Sequence, residues 1–410
     1  MPSEPSPPPP TATWSELPAH RAWLTNEAAS LIEFARGSRV DGGFGWLDLT
    51  GAPDAAVAPQ LWITGRMTHV FALGHLIGHP GCGPLVDHGV AAIRESFVDR
   101  EHGGWFGEAG EATRKEAYTH AFVLLAAASA RIAGRAGAAA LLDEATGVIV
   151  ERFWSEHDGA CIDTWDAAWT EAEPYRGANA NMHMVEAFLA AGDATGDAVW
   201  GRRAERIAHR LIGEVAAANE WRVAEHFDEG WRPLPDYNAD QPRHPFRPFG
   251  ITPGHGLEWA RLLLQLGTAL PQRPAWLLDA AAGLFARAVA DGWQAGAGFV
   301  YTTDAAGRPV VADRLHWVVT EAIGAAATLH AVTGLDEYER WYRTFWDFAA
   351  LHLIDRERGS WHMELDESLQ PTEQTWRGKP DVYHALQAAL IPMLPVRPSL
   401  AGAARVSAPG

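Results

Sequence analysis

The sequence Asp41-Gly-Gly-Phe-Gly-Trp46-Leu-Asp48 is the first of six clusters that combine glycines, an aromatic residue and an acid. Glycine beside an aromatic residue, followed by alternation that ends in an acid, is typical of a short β-hairpin. The clusters return about every sixty residues, a period that indicates a repeat protein. The other five occupy residues 101–108, 156–163, 221–228, 296–304 and 358–366.

Apolar residues with helical spacing separate the clusters. In the first such segment the apolar residues share one helical face; they are Leu24, Ala28, Leu31, Ile32 and Ala35. Gly37 is placed to end this helix in a left-handed conformation. Residues 117–130 and 384–394 are apolar on more than one face, which indicates inner helices covered by outer ones. Six helix pairs can close into a ring that buries every apolar face. We therefore predict an all-α protein, an (α/α)6 barrel with short β-hairpins in its connecting loops.

The repeat continues without a linker-like break, so we predict one barrel-shaped catalytic domain over residues 16–397. Residues 1–15 contain Met1-Pro-Ser-Glu-Pro-Ser-Pro-Pro-Pro-Pro10 and are predicted to be a disordered, Pro-rich tail. They lack the positive and apolar regions of a secretory signal. Residues 398–410 are predicted to be a flexible C-terminal tail.

Composition limits the classes of partner. The net charge of −18 and the absence of a Lys/Arg block argue against nucleic acid and anionic membranes as partners. No apolar stretch reaches the roughly 20 residues of a membrane span. The two cysteines, Cys82 and Cys161, are too few for a disulfide framework and favour the reducing cytoplasm, although a single bridge stays open. The sequence leaves monomer and homo-oligomer equally open.

Aromatic and histidine residues point to a carbohydrate pocket. The chain has 19 Trp and 18 His, concentrated near the hairpins and the starts of the predicted inner helices. Indole rings stack on sugars, and imidazoles titrate near neutrality.

One helix start carries the sharpest signal. Thr252 is placed as an N-cap and Pro253 as the first helical residue. His255 then lies in the first turn, where the helix dipole favours the neutral imidazole, and Glu258 shares its face. We predict a His255/Glu258 acid/base unit, with the glycines on either side of His255 clearing space for a ligand. A core histidine paired with a glutamate is the alternative.

Other helix starts carry similar groups. Asn179, His183 and Glu186 follow at i, i+4 and i+7, which places an amide, an imidazole and a carboxylate on one helical face. Arg66 is always charged and can hold a developing enolate oxygen. Because inner-helix N-termini point to one mouth of a barrel, these groups are expected to converge there. The remaining candidates are Trp62 and His69 beside Arg66, Tyr118 with His120, His316 and Trp317 with Glu321, and Trp376, Asp381 and His384 after Pro380.

Several other classes of function fit less well. His183, His255, His316 and His384 could in principle meet at a metal, but no HExxH motif supports this, and we expect neither metal nor other cofactor. A glycosidase needs two working carboxylates without basic partners, and the acids of the hairpins look structural. No GxSxG or cysteine motif indicates nucleophilic catalysis. A non-catalytic carbohydrate-binding barrel would keep the tryptophans but has no need for histidines at several helix starts.

Four motifs resemble the N-acylglucosamine 2-epimerase superfamily, whose members are (α/α)6 barrels that act on aldose sugars. The resemblance covers the whole repeat region and is strongest to the aldose–ketose isomerase branch. Epimerases of the superfamily usually carry two adjacent tryptophans where this chain has His316-Trp317, which favours isomerisation. The motifs are Asn179-x-Asn-Met-His183, Pro253-Gly-His255-Gly-x-Glu258-Trp259, Arg314-Leu-His316-Trp317-Val-Val-Thr-Glu321 and Gly378-Lys-Pro-Asp381-Val-Tyr383-His384.

The resemblance implies interconversion of D-mannose and D-fructose, with D-lyxose as a further substrate, by metal-independent proton transfer through a cis-enediol. It implies that His384 and His255 are the acid/base pair and that Glu258 orients His255. Arg66 then stabilises the enediolate, and His183 assists ring opening or binds a hydroxyl. Isomerisation of sulfoquinovose, with a sulfonate subsite built from Arg243, Arg247 and Lys379, and 2-epimerisation are the alternatives. The implied sugar contacts are Trp62, Tyr118, Asn179, His316, Trp317, Trp376 and Asp381.

Overall fold

Helices dominate the computed structural model, which describes residues 13–407. Thirteen α-helices lie within this range: α1 (Pro18–Ala35), α2 (Leu61–Leu76), α3 (Cys82–Ser96), α4 (Ala117–Ile132), α5 (Ala138–Val148), α6 (Ala178–Thr195), α7 (Val199–Ala208), α8 (Pro253–Ala269), α9 (Trp276–Gly292), α10 (His316–Thr333), α11 (Asp336–Phe348), α12 (Tyr383–Leu390) and α13 (Leu400–Ser407). Turns of π-helix extend α5, α7 and α11 over Ile149–Phe153, His209–Ala216 and Ala349–Leu353. Short 3-10 turns cover Trp14–Glu16, Arg36–Ser38 and Ile391–Met393.

The even-numbered helices α2 to α12 form a closed inner ring. Each contacts the next, and α12 contacts α2. The helices α3, α5, α7, α9 and α11 each pack outside the inner helix that precedes them, and α1 packs on α12. The predicted (α/α)6 barrel is therefore confirmed. Inner helices pack closely where small residues allow it: a Cβ on Gly65 of α2 would lie 2.8 Å from the Phe122 carbonyl oxygen of α4.

The strands form two-stranded antiparallel ladders, but only some are local hairpins. The segments β1/β2, β4/β5, β9/β10 and β11/β12 pair at or beside a single cluster, whereas β3/β6, β7/β8 and β13/β14 join consecutive repeats. The second cluster forms a shorter hairpin, in which Trp105 bridges Val98 and the backbone N–H groups of Asp99 and Phe106 donate to Gly104 (2.8 Å) and Phe97 (2.9 Å). The strands are β1 (Arg39–Val40), β2 (Gly43–Phe44), β3 (Arg114–Glu116), β4 (Trp154–Ser155), β5 (Ala160–Cys161), β6 (Thr164–Asp166), β7 (Tyr175–Gly177), β8 (His226–Asp228), β9 (Trp293–Gln294), β10 (Gly298–Phe299), β11 (Thr302–Thr303), β12 (Pro309–Val311), β13 (Arg314–Leu315) and β14 (Glu364–Leu365).

Helix α1 shows where local sequence rules hold and where they fail. Its buried residues are the ones its spacing predicted. The left-handed cap at Gly37 was wrong, because Gly37 lies inside the 3-10 turn and has no positive φ. Glycine is needed there for a different reason: a Cβ would lie 2.8 Å from the carbonyl oxygen of Gly51.

Both chain ends differ from the predicted tails where the structure describes them. Residues 1–12 and 408–410 lie outside the described residues. Within the first tail, Trp14 donates its backbone N–H to Glu339 (2.7 Å). The predicted tail at 398–410 contains α13, whose start is held because the hydroxyl of Ser399 donates to Asp193 (2.7 Å) and accepts from the backbone N–H of Gly402 (3.0 Å). The small residues of α13 then pack against α2, α4 and α6.

Two composition-based expectations have structural counterparts. Cys82 and Cys161 are both free and buried, so the single bridge left open by the sequence does not form. Across residues 13–407 no helix combines the length and apolar character needed to cross a membrane.

Candidate active site

A pocket opens at the end of the barrel where the inner helices begin. The side chains predicted to be catalytic or substrate-binding all line it, although they come from six separate segments of the chain. Because the inner helices start at the same mouth of the ring, residues remote in sequence meet there. The lining includes Trp62 and Arg66 of α2, Tyr118 of α4, Asn179 and His183 of α6, His255 and Glu258 of α8, His316 and Trp317 of α10, and Trp376, Asp381 and His384 in or before α12.

His384 is held by a glutamate on the neighbouring inner helix. Its Nδ1 lies 2.9 Å from Oε1 of Glu321 on α10. Since a carboxylate only accepts hydrogen bonds, the neutral ring carries its proton on Nδ1 and keeps a lone pair on Nε2. Burial, aided by the charge of Arg66, lowers the pKa of His384 well below its usual 6.5. The ring is therefore neutral at pH 7, as a general base must be.

His255 has the same arrangement with a partner that sequence reasoning missed. Its Nδ1 lies 2.8 Å from Oε2 of Glu225, which directly precedes β8. The other oxygen of Glu225 accepts the backbone N–H of Thr252 (3.1 Å) at the start of α8. Glu258, which was predicted to orient His255, lies one turn further along α8, and its Oε1 is 3.5 Å from Arg261.

The indole of Trp317 lies between the two histidines. Its ring centroid is 5.2 Å from that of His255 and 5.8 Å from that of His384. A Cβ on Gly254 would come within 2.4 Å of this indole. The space left by Gly254 is thus filled by Trp317, and a Cβ on Gly256 would face Ala288 on α9. The prediction that these glycines clear space for a ligand was wrong.

Arg66 supplies a fixed positive charge to the pocket. Its NH1 donates to Asp381 (3.2 Å) and its NH2 to the hydroxyl of Tyr118 (3.1 Å). The guanidinium also lies 5.0 Å from the ring centroid of Trp62 and 4.8 Å from that of Tyr383. Among the described residues its buried Nε has no hydrogen-bond partner. A donor held in this way can bind a substrate oxygen on which negative charge develops.

A second acid/base cluster lies deeper, around His183. Its Nδ1 is 3.8 Å from both Glu186 and Glu258. Burial lowers the pKa of His183 to about 4 and, together with the charge of Glu321, raises the pKa of Glu258 well above its usual value. The cluster therefore joins a neutral imidazole to a carboxyl group that holds a proton more readily than an exposed glutamate.

The same cluster has the composition of a metal site. Among the described residues, His183, Glu186 and Glu258 form the group whose ligand atoms all lie within 4.8 Å of one another. It contains one histidine, not the four considered from the sequence. Glu186 is already engaged, accepting hydrogen bonds from Tyr383 and from Gln387 (3.2 Å).

Aromatic rings form one wall of the pocket. The indole of Trp62 packs edge-on against those of Trp376 (5.9 Å) and Trp46 (6.0 Å). Phe246, from the loop between β8 and α8, contacts Trp376 and Tyr118, at 5.3 Å each. Sequence reasoning did not select Phe246, although it lies seven residues before α8. Such faces suit the C–H surface of a sugar.

Two further predicted contacts have unused polar atoms at the pocket. The Nδ2 of Asn179 donates to the carbonyl oxygen of Phe246 (3.4 Å), while its Oδ1 has no partner among the described residues. The Nδ1 of His316 lies 3.3 Å from the carbonyl oxygen of Met363, so the neutral ring carries its proton there and keeps Nε2 as an acceptor. Burial lowers the pKa of His316 to about 4. Each can therefore offer an acceptor to a sugar hydroxyl.

Two histidines from the same sequence patches lie outside the pocket. His69 is buried against the hydroxyl of Ser129 (2.7 Å). His120 lies between the carbonyl oxygen of Glu116 (2.7 Å) and the backbone N–H of Trp105 (3.2 Å). Both histidines therefore make hydrogen bonds in the core, which is the structural role that was the alternative to catalysis for the histidines at helix starts.

Comparison with known proteins agrees with this fold. The model of the N-acylglucosamine 2-epimerase (GlcNAc 2-epimerase) family matches residues 42–388. The chain therefore belongs to this family, as its motifs predicted.

Relatives within the family are similar over nearly the whole chain. A D-mannose isomerase of Thermobifida fusca is 56% identical over 400 residues, covering 95% of this chain and 98% of the relative. One of Pseudomonas cannabina pv. alisalensis is 51% identical over 401 residues, covering 96% and 97%. The crystal structure of a D-mannose isomerase matches with a TM-score of 0.85 at 29% identity, covering 92% of this chain and 99% of the other. Cellobiose 2-epimerase from Spirochaeta thermophila, at 21% identity, covers 91% and 95% with a TM-score of 0.79 and shares the fold.

Proposed function

We propose that this protein is an aldose–ketose isomerase that interconverts D-mannose and D-fructose. The observation that carries the proposal is the pair of imidazoles, His255 and His384, on either side of Trp317, each with a glutamate at Nδ1. Relatives that are 56% and 51% identical and match this chain end to end are named D-mannose isomerases. D-Lyxose, which has the same configuration at C2, is a further candidate substrate.

The reaction moves one proton between neighbouring carbons. In the open-chain aldose, Nε2 of His384 accepts the proton from C2 while an acid protonates the carbonyl oxygen on C1, giving a cis-enediol. The hydroxyl on C2 then loses its proton to form the ketone, and His384 returns the carbon-bound proton to C1. His255 serves as the partner that protonates and deprotonates the oxygens.

Arg66 and the His183 cluster have supporting roles in this scheme. Arg66 stabilises the oxygen charge of the enediolate through its unpaired Nε. For ring opening, the carboxyl group of Glu258 gives a proton to the ring oxygen, and the neutral imidazole of His183 accepts the proton of the hydroxyl on C1. Trp62, Trp376 and Tyr118 pack on the apolar faces of the sugar, and Asn179, His316, Trp317 and Asp381 complete its contacts.

The cations named for a sulfonate subsite do not favour sulfoquinovose. Lys379 is buried against Asp355 (2.7 Å), and Arg243 pairs with Asp313 (2.8 Å). Arg247 pairs with Glu173 (2.8 Å). None of the three lines the pocket, and each is paired with a carboxylate. A neutral aldose therefore fits the pocket better than a sulfonated one.

We further propose that the enzyme acts on the free monosaccharide in the cytoplasm. Its two free, buried cysteines suit a reducing compartment. The strong negative charge disfavours anionic partners.

The experiment is a proton NMR assay of the purified protein in deuterated water. Mannose, sulfoquinovose and glucose are supplied separately, so that isomerisation and 2-epimerisation are read in the same spectra. We expect mannose and fructose to interconvert, with deuterium entering at the carbon that exchanges. Conversion of sulfoquinovose alone, or of mannose to glucose without fructose, would contradict the proposal.

The same assay tests the metal-independent scheme. We expect the rate after exhaustive chelation to stay within about twofold of the untreated rate, because imidazoles carry the proton. Loss of turnover on chelation, with recovery on adding a divalent cation, would instead assign the His183/Glu186/Glu258 group as a metal site.

A further inference from the structure

Arg261 lies one layer below the pocket and touches the carboxylates that support it. It is on α8, two turns below His255, and only 2% of it is exposed. Its Nε and NH2 are both 3.1 Å from Oε2 of Glu321, and NH2 is 3.5 Å from Oε1 of Glu258. Arg261 itself does not line the pocket, so it does not contact the sugar.

The two oxygens of Glu321 are divided between two partners. Oε2 faces the guanidinium of Arg261, and Oε1 faces Nδ1 of His384. The Nε–H of Arg261 donates to Oε2 and the charged NH2 lies against the same oxygen, so Oε2 is held toward α8 and Oε1 stays directed at His384. Gln265, one turn further along α8, fixes Arg261 in turn by accepting from NH1 (3.0 Å).

Charge around this layer is strongly unbalanced. Glu258, which lines the pocket, and Glu186 and Glu321 below it are all buried, and a buried carboxylate without a counter-charge takes up a proton. A protonated Glu321 could donate to His384, which would place the imidazole proton on Nε2 and remove the lone pair that faces the pocket. The hydrogen bond and the positive charge of Arg261 at Oε2 oppose that outcome at Glu321.

We propose that Arg261 is a positioning residue for the isomerase: it fixes the Glu321 carboxylate and, through it, the orientation and Nδ1–H tautomer of His384. The inference rests on the proposed function only in taking His384 as the base. It accounts for an arginine buried in the lumen of the barrel, one layer below any substrate contact.

Two substitutions separate this role from general support of the fold. Arg261→Lys keeps the charge but reaches one carboxylate, and Arg261→Gln removes the charge. We expect each to lower kcat for mannose about tenfold or more, with KM within about twofold of the parent, because the sugar contacts remain. Arg222→Gln is the control, since Arg222 pairs with Asp291 (2.7 Å) outside the pocket; it lowers stability without changing kcat.

The double variant Arg261→Gln/Glu321→Gln tests whether Arg261 acts through Glu321. If it does, the double variant loses no more kcat than Glu321→Gln alone, since positions that act as one unit are not additive. This variant removes the charge of Glu321 together with that of Arg261, so we expect it to be more stable than Arg261→Gln, and thermal unfolding of both variants checks this. Single variants with the parent kcat, or a double loss equal to the product of the two single losses, would overturn the proposal.

A spectroscopic readout is independent of turnover. In ¹⁵N spectra, with His384→Asn used to assign the signals, His384 is expected as the Nδ1–H tautomer in the parent and as a mixture in Arg261→Lys. The same tautomer in both proteins would overturn the inference. A parent that shows the expected tautomers but does not convert mannose would instead contradict the proposed function.

Discussion

The two histidine–glutamate pairs of the pocket look alike but are built differently. Glu225 sits in a loop and is fixed by the backbone N–H of Thr252, a donor that almost any sequence supplies. Glu321 sits on an inner helix and is fixed by Arg261, a specific buried side chain. The His255 pair therefore depends on the path of the loop, whereas the His384 pair depends on a charge network in the barrel lumen. Substitutions can break the two pairs separately.

Loss of the histidines themselves should have the largest effect. His384→Asn keeps approximate size but removes the group that accepts the C2 proton, so kcat for mannose should fall by about 10⁴-fold while sugar binding survives. The measurement is kcat together with exchange of the C2 proton into deuterated water. His255→Asn is the matched variant, and we expect it to retain more C2 exchange than His384→Asn.

A result within about tenfold of the parent, equivalent to roughly 1.4 kcal/mol of transition-state stabilisation, would show that His384 is not the base. The role of base would then pass to His255, and the pair with the loop-borne glutamate would be the more important one.

Replacement of the glutamates by glutamine is the next largest change. In Glu321→Gln the amide oxygen stays with Arg261, so the NH₂ group faces Nδ1 of His384 and forces the wrong tautomer. We expect about a 10²-fold loss of kcat with little change in KM. Glu225→Gln should act in the same way on His255, because Thr252 retains the amide oxygen. If Glu225→Gln keeps the parent kcat, the two histidine–glutamate pairs have the same geometry but different roles, and His255 takes no part in proton transfer.

The difference between the two histidine–glutamate pairs also explains which parts of the site could be predicted from the sequence. The start of α8 was predictable, because α8 begins at Pro253 with Thr252 at the N-cap position, as expected. The predicted capping bond is absent, since the buried hydroxyl of Thr252 has no partner among the described residues. The partner of His255 was not predictable, because Glu225 is 30 residues away in a hairpin cluster whose acids looked structural. Its contact depends on where the loop before β8 meets the mouth of the barrel.

The ring of helices was also predictable from the sequence, because it follows from local residue spacing. The repeat period and the apolar faces, such as that of α1, depend on spacing alone. The structural roles of Gly254 and Gly37 could not be predicted, because each glycine leaves room for protein atoms from a different segment of the chain. Helix α13 was also missed, because its anchor Asp193 is 206 residues away from Ser399.

A pH profile sharpens the comparison without any substitution. Burial, aided by the charge of Arg66, lowers the pKa of His384 well below 6.5, and only the neutral ring can accept a proton. As pH falls, kcat/KM is therefore lost only when this lowered pKa is crossed. We expect at least half of the plateau value of kcat/KM to remain at pH 6.0, where a histidine of ordinary pKa would be mostly protonated. An acid limb centred at or above pH 6.5 would contradict the assignment.

The smallest expected effect concerns Trp317, which spaces the two pairs. In Gly254→Ala the new Cβ would lie 2.4 Å from the indole, so Trp317 must shift and change the separation of His255 from His384. We expect kcat to fall by about three- to tenfold, since misplacement of catalytic groups by a fraction of an ångström is costly.

Gly256→Ala is the control in the same helical turn, because its Cβ meets Ala288 at an ordinary 3.6 Å. Alanine is favoured over glycine in a helix by roughly 0.5–1 kcal/mol, so Gly256→Ala should keep the parent kcat and gain stability. Equal kcat values in the two variants, measured alongside their thermal unfolding, would show that Trp317 does not set the spacing of the histidines.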